Sequence, residues 1–332
     1  MLLAARLAVA EINAAGGVRG RPLALIEMND HGNPDSAVTV AAQLRASRAV
    51  AVIGHLWSST TLAAGPVYGG GAQPVAMISP SSSAPDVRWI GPHAFRVCPS
   101  DEAHGAALAD WMLQRLGANR VAVLYLNNDY GRGVRRAFGT RFASLGGTVI
   151  GPFPYLDPER EATIQLDRIA RQAPVDAMLV AGYAEDAETV LRIARARGIT
   201  APLLGGDALE GIEAAGPIAN GVLFTSAWLP DARTGPAAEF LRAYADAHPD
   251  AAPPNQPAAA TWDAVHLLAA LLSTTGADRR KLRLALAGVG SATPAFEGVT
   301  GSIAFTPDGD LVRGAIIMAE VRDGRLVRAG TP

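Results

Sequence analysis

The chain has 332 residues, 49% of them hydrophobic and 18% charged, which is enough apolar material for a sizeable core and, at this length, for two domains. A net charge of -2 and a pI near 6.3 exclude the basic footprint of a nucleic-acid or anionic-membrane binder. A single cysteine, Cys98, excludes an internal disulfide and any cysteine-based metal cluster.

The first residues are apolar, but no basic stretch precedes them and no cleavage site follows. Leu2, Ala5, Val9 and Ile12 recur at helical spacing and Gly16-Gly17 ends the run, so an amphipathic helix is expected here. An extended run follows at Leu23 to Met28. Asn33-Pro34 then opens a helix running towards Arg48, and residues 50 to 53 read as a strand. A short helix and a strand at 75 to 78 come next, and 85 to 92 is irregular. The alternation resumes with helix 102 to 116, strand 120 to 126, helix 132 to 145, strand 148 to 150, helix 161 to 172, the apolar strand 175 to 181 and helix 185 to 197. Residues 202 to 205 and a strand at 221 to 226 complete this block. Apolar strands alternating with amphipathic helices indicate parallel sheets covered on both faces. From Gly235 to about Leu286 three helices are expected, interrupted by a Pro-rich stretch at 249 to 257. Extended segments return at 301 to 305 and 314 to 321, and Asp323-Gly324 makes a hairpin turn. No stretch is long enough to span a membrane.

Two hydroxyl clusters stand at strand ends. Val50 to Gly54 opens into His55-Leu56-Trp57-Ser58-Ser59-Thr60-Thr61, and Val75 to Ile78 opens into Ser79-Pro80-Ser81-Ser82-Ser83. Ligands of open α/β sheets bind beyond the carboxyl ends of strands, where loop amides and helix N-termini favour an anion. Such hydroxyls either hold a carboxylate or similar polar group or cap the helices that follow. Gly54 to Ser58 is not a G-x-S-x-G nucleophile elbow, and no phosphate-binding glycine loop occurs. His31, His93, His104, His248 and His266 lack metal-ligand spacing, and His55 reads as a packed strand-end residue. Neither an enzyme, a cofactor nor a metal site is expected.

Several segments together carry a resemblance: Ala8 to Gly20, Val52 to Ser59, Ile78 to Ser83, Phe95-Arg96, Asp129 to Gly133, Gly182-Tyr183 and Gly298 to Gly301. In this order, over nearly the whole chain, they resemble the branched-chain amino-acid binding proteins, the substrate-binding components of ABC importers with a type I periplasmic-binding fold. The resemblance implies an α/β fold of two Rossmann-like lobes, parallel sheets flanked by helices, joined by three hinge crossings and closing over a small ligand. The first lobe would hold residues 1–98 and 229–297, and the second 99–228 and 298–332.

The resemblance also implies a pocket. Ser58 and Ser83 match hydroxyls that hold a ligand carboxylate, with the backbone at Ser81 beside them. Asp101 and Asp207 match acidic positions near a ligand ammonium, and Tyr130 and Tyr183 match aromatic groups that cover the ligand. Trp57 stands where relatives carry a small residue or a cysteine, so side-chain specificity is not inherited. The expected partners are a small amino acid or related small polar solute and a permease–ATPase complex, with no nucleic acid, in a periplasmic or extracytoplasmic monomer. A ligand-sensing domain for amides, urea or aromatic acids is the alternative. Members of the family carry a signal peptide and a first β-strand ahead of the helix that begins here, so the sequence reads either as N-terminally truncated or as a first sheet lacking a central strand, whose edges would be left without partners.

Overall fold

Apolar residues at helical spacing build α1 (Leu2–Ala14), and the chain leaves it where the glycines fall, with the Gly17 N–H returning to the Ile12 carbonyl at 2.9 Å. This is a computed structural model, describing residues 1–171, 174–312 and 314–330. Asn33 caps α2 (Pro34–Ala46) by accepting from the Ser36 N–H, and Pro34 sits where a missing N–H costs nothing. There follow β1 (Ala51–Ile53), α3 (Ser58–Gly69), β2 (Ala76–Ser79) and β3 (Ala94–Arg96). The next stretch alternates strictly: α4 (Asp101–Gln114), β4 (Arg120–Leu126), α5 (Asp129–Ser144), β5 (Thr148–Tyr155), α6 (Pro158–Ala170), β6 (Ala177–Ala181), α7 (Ala184–Ala196), β7 (Leu203–Gly205) and β8 (Leu223–Ser226). The expected end of α6 at residue 172 lies outside the described residues. Three helices then run consecutively, α8 (Gly235–Ala247), α9 (Gln256–Thr275) and α10 (Arg279–Ala287), before the hairpin β9 (Phe296–Gly298) and β10 (Gly301–Ile303) and the closing hairpin β11 (Ile317–Arg322) and β12 (Arg325–Arg328).

These elements divide into two units, Met1–Pro99 with Pro230–Ala315 and Ser100–Leu229 with Ile316–Pro332. The chain therefore changes unit three times, and residues 298–315, expected in the second lobe, belong to the first unit. The reason is burial: Ile303 and Phe305 enter the same core as Val97, Leu267 and Leu286. The Asp263 carboxylate in α9 also accepts from Val299 N–H at 2.8 Å, Thr300 N–H at 2.9 Å and the Thr300 hydroxyl at 2.6 Å. Residues 331 and 332 lie outside the described residues.

In the first unit β1, β2 and β3 form a parallel three-stranded sheet. Residues 23–28, expected as an extended element, form no strand. Leu23 is tied to Asn13 by a pair of hydrogen bonds, and Leu25, Ile26 and Met28 are 39%, 50% and 44% exposed. A strand needs a neighbour for its backbone groups, and among the described residues none pairs with this segment or with the outer edge of β1. An apolar groove of about 830 Å³ lies there, lined among others by Val9, Leu25, Val52, Ile53 and Val265.

The second unit holds one seven-stranded sheet in the order β12-β11-β8-β7-β6-β4-β5, parallel from β5 to β8 and antiparallel at β11 and β12. The two-residue period sends Ala122, Leu124, Met178 and Val180 to one core, with Leu166 and Leu191. It sends Val121, Val123 and Leu179 to the other, with Leu108, Phe138 and Phe142. All five residues of β6 are fully buried, each Leu, Val or Met contributing about 1.5–3 kcal/mol.

Candidate ligand-binding site

In the first unit the site grows from the shared direction of β1 and β2, whose carboxyl ends open at the same sheet edge. Hydroxyls from both loops then knit together. Ser79 Oγ donates to the His55 carbonyl at 2.8 Å and accepts the Ser82 N–H at 2.9 Å, while Thr61 Oγ1 and Ser82 Oγ lie 2.6 Å apart. The N-terminus of α3 makes no side-chain cap bond. Ser58 instead reaches across, its Oγ accepting the Ala84 N–H at 3.2 Å, which keeps its own proton available to a ligand. Ser81 holds its N–H only at 3.4 Å from Ser79 Oγ.

Ser83 is the exception in this network. It is 1% exposed and its Oγ has no hydrogen-bond partner among the described residues. A buried hydroxyl left in that state costs about 1–3 kcal/mol, which a ligand acceptor would offset. Its backbone is held from below by Arg96, a fully buried guanidinium donating to the carbonyls of Ser83 at 2.8 Å and Ala84 at 2.9 Å and to Asp310 at 2.8 Å. His55 is buried as expected, between Asp30 and Tyr68.

The second unit supplies acceptors. Asp101 opens α4 and is fully buried, placed where a helix N-terminus favours negative charge. Asp207 follows β7 in a single 3-10 turn. Tyr130, the second residue of α5, donates its hydroxyl to Asp207 Oδ1 at 3.1 Å and accepts the Ala208 N–H at 3.1 Å. The approach needs glycine at 206, where a Cβ would stand 2.4 Å from the Tyr130 hydroxyl. Tyr183 stacks on Tyr130 with centroids 5.8 Å apart and planes 11° from parallel, and its hydroxyl accepts from Asn128 Nδ2 at 3.0 Å. Burial raises the pKa of both phenols, and the charges of Asp207 and Asp101 raise both further. Both tyrosines therefore stay protonated at neutral pH.

The structure thus gathers Trp57, Ser58, Ser81 and Ser83 at one end of the first sheet and Asp101, Tyr130, Tyr183 and Asp207 at one edge of the second. One expectation changes. Tyr130 is only 4% exposed, with its hydroxyl bonded within the unit, so it braces Asp207, and the aromatic surface offered here is that of the half-buried Tyr183. Sequence reasoning missed His104, fully buried with Nε2 3.7 Å from Asp207 Oδ2, as well as Asn128 and the anchoring role of Arg96. The signals were an Asp-x-x-His spacing on one helix face and an arginine inside an apolar run.

A family model for periplasmic binding proteins matches residues 1–325. The Leu/Ile/Val-binding protein of Escherichia coli is 28% identical over 225 residues, 67% of this chain and 60% of that protein. The chain therefore spans about 60% of the length of the curated relatives it matches. Among solved structures, a leucine-binding protein from Thermotoga maritima superposes with TM-score 0.89 at 27% identity, covering 99% of this chain and 92% of that one. A substrate-binding protein from Desulfitobacterium hafniense in complex with leucine gives TM-score 0.84 at 28% identity, covering 98% and 94%.

Proposed function

This chain belongs to the periplasmic binding protein family, and from that premise we propose that it captures a small amino acid outside the cytoplasm and delivers it to the permease and ATPase of an ABC importer. The observation that carries the reading is a division of labour. Hydroxyls and amides able to donate, with the buried, unpartnered Ser83 Oγ at their centre, belong to one unit, and the carboxylates belong to the other. A zwitterion matches both sets. The protons of Ser58 and Ser83 and the Ser81 amide suit its carboxylate, and Asp207, with Asp101 and Tyr183 in the same unit, suits its ammonium.

Hydrogen bonds to charged groups contribute about 1.5–3 kcal/mol each, so three or four of them with an apolar wall account for roughly micromolar affinity after the cost of association. An acid without nitrogen leaves Asp207 desolvated with no counter-charge, which is costly. The ligand docks first on the hydroxyl loops. Closure is the proposed switch, because a ligand shifts an open–closed equilibrium only through contacts that differ between the two states. The reading requires binding without turnover and names no cofactor.

Calorimetric titration with leucine, 4-methylpentanoate and 3-methylbutylamine tests this. Saturable binding of leucine, with both analogues at least tenfold weaker, supports the zwitterion site. Equal binding of 4-methylpentanoate removes the role given to Asp207, and silence towards all amino acids from a folded protein overturns the reading.

A further inference from the structure

The proposed pocket contains a large ring with no expected counterpart, Trp57, and the first unit contains a built device that touches it. Trp57 stands directly before α3, one residue from Ser58. Its indole lies against the backbone of Gly32, so closely that a Cβ there would be 2.9 Å from Nε1 and 3.3 Å from Cδ1. Gly32 adopts φ +65° at the end of a tight turn in which Asn29 Oδ1 accepts the His31 N–H at 2.8 Å and Asp30 Oδ1 accepts the Gly32 N–H at 2.9 Å. The other Asp30 oxygen meets His55 Nδ1 at 2.5 Å, and His55 Nε2 meets the hydroxyl of the fully buried Tyr68, inside α3, at 3.1 Å. One carboxylate therefore joins the turn to the end of β1 and, through the imidazole, to the helix that Trp57 precedes. A carboxylate oxygen only accepts, so Nδ1 is the donor in this pair. Burial, together with the charge of Asp30, keeps Tyr68 a phenol.

We propose that Asp30 and Gly32 are positioning residues that fix the stance of the Trp57 indole and thereby set the largest ligand side chain the site admits. The inference rests on the amino-acid reading above. The indole cannot retreat towards the turn without moving Gly32, whose N–H is held by one Asp30 oxygen while the other Asp30 oxygen is held by His55. Ring position is then set by a hydrogen-bonded chain of three side chains rather than by loose packing, and side-chain discrimination follows from it.

Two substitutions act in opposite directions. Gly32→Ala places a methyl where the indole edge stands and pushes the ring off the turn into the site, so affinity for phenylalanine relative to alanine should fall about tenfold. Asp30→Asn keeps the turn's acceptor but weakens the tie to His55, lets the ring retreat, and should raise the same ratio. In a Trp57→Ala background both effects should vanish, an outcome that general loosening of the fold would not produce. Calorimetric ranking of alanine, leucine and phenylalanine in the parent, Gly32→Ala and Asp30→Asn, each with and without Trp57→Ala, reads this directly. An unchanged ranking, or the same changes without Trp57, overturns the proposal.

Failure of the amino-acid reading is distinguishable. If the parent chain binds none of these ligands, the Trp57 emission, isolated by subtracting the spectrum of Trp57→Phe, still reports the ring. It should shift in both Gly32→Ala and Asp30→Asn, and an unmoved emission overturns the positioning claim alone. Should Gly32→Ala not fold at its left-handed φ, Asp30→Asn and Tyr68→Phe carry the test.

Discussion

The two units start from the same sequence rhythm and are built differently. The second completes a seven-stranded sheet with a core on each face, whereas the first has a three-stranded sheet and a separate two-stranded hairpin, an open apolar groove beside β1 and a segment, 23–28, that forms no ladder. Polar ties join distant segments of the first unit. Arg96 gathers the Ser83 loop and Asp310, Asp263 gathers the 299–300 turn, and Arg279 donates to the carbonyls of Arg45, Ser47 and Ala49 at 3.0, 2.7 and 2.8 Å. Hydrophobic periodicity specifies which side chains are buried, and pairing then depends on what lies beside each strand.

That contrast breaks most readily at Arg96. Arg96→Met strips the Ser83 and Ala84 carbonyls and Asp310 of a buried partner and should destabilise the first unit by about 3–5 kcal/mol, read as an early transition in urea that leaves the second unit's transition in place. A single unshifted transition would mean that the polar ties do not govern the first unit. A smaller difference is expected in hydrogen exchange. The amides of β1 should exchange at least tenfold faster than those of β4 and β6, a gap of about 1.4 kcal/mol or more in opening free energy. Equal protection would erase the comparison.

Acid should sharpen it. His93 and His266 are both in the first unit, and burial lowers both pKa values from 6.5. A depressed pKa gives stability that is present above 6.5 and lost as pH falls from there through the folded value. The first unit's urea midpoint should therefore drop between pH 7.5 and 5.5, and His93→Gln, which can still donate to the Gly65 carbonyl, should reduce that drop. The smallest effect is expected at the apolar but exposed segment, where Ile26→Ser should change stability by no more than about 0.5 kcal/mol.

Most of the second unit was legible because unbroken apolar runs such as 175–181 can satisfy their burial only inside a covered parallel sheet. Residues 23–28, read as an extended run, form no ladder because composition carries no information about the neighbour a strand needs. β3 escaped notice because a three-residue strand ending in a buried arginine has no period to detect. The serines and Asp207 could be found from their places after strands, whereas the Asp30–His55–Tyr68 chain joins positions 25 and 13 residues apart that no spacing rule connects.

The central claim is that one unit reads the carboxylate and the other the ammonium. Its most direct test is leucine calorimetry on Ser83→Ala and Asp207→Ala beside the parent. Each variant should still fold cooperatively and lose about tenfold or more in leucine affinity, with Ser83→Ala leaving 3-methylbutylamine binding unchanged and Asp207→Ala, which removes the uncompensated carboxylate, tightening 4-methylpentanoate binding. Parental leucine affinity in both variants would contradict the account.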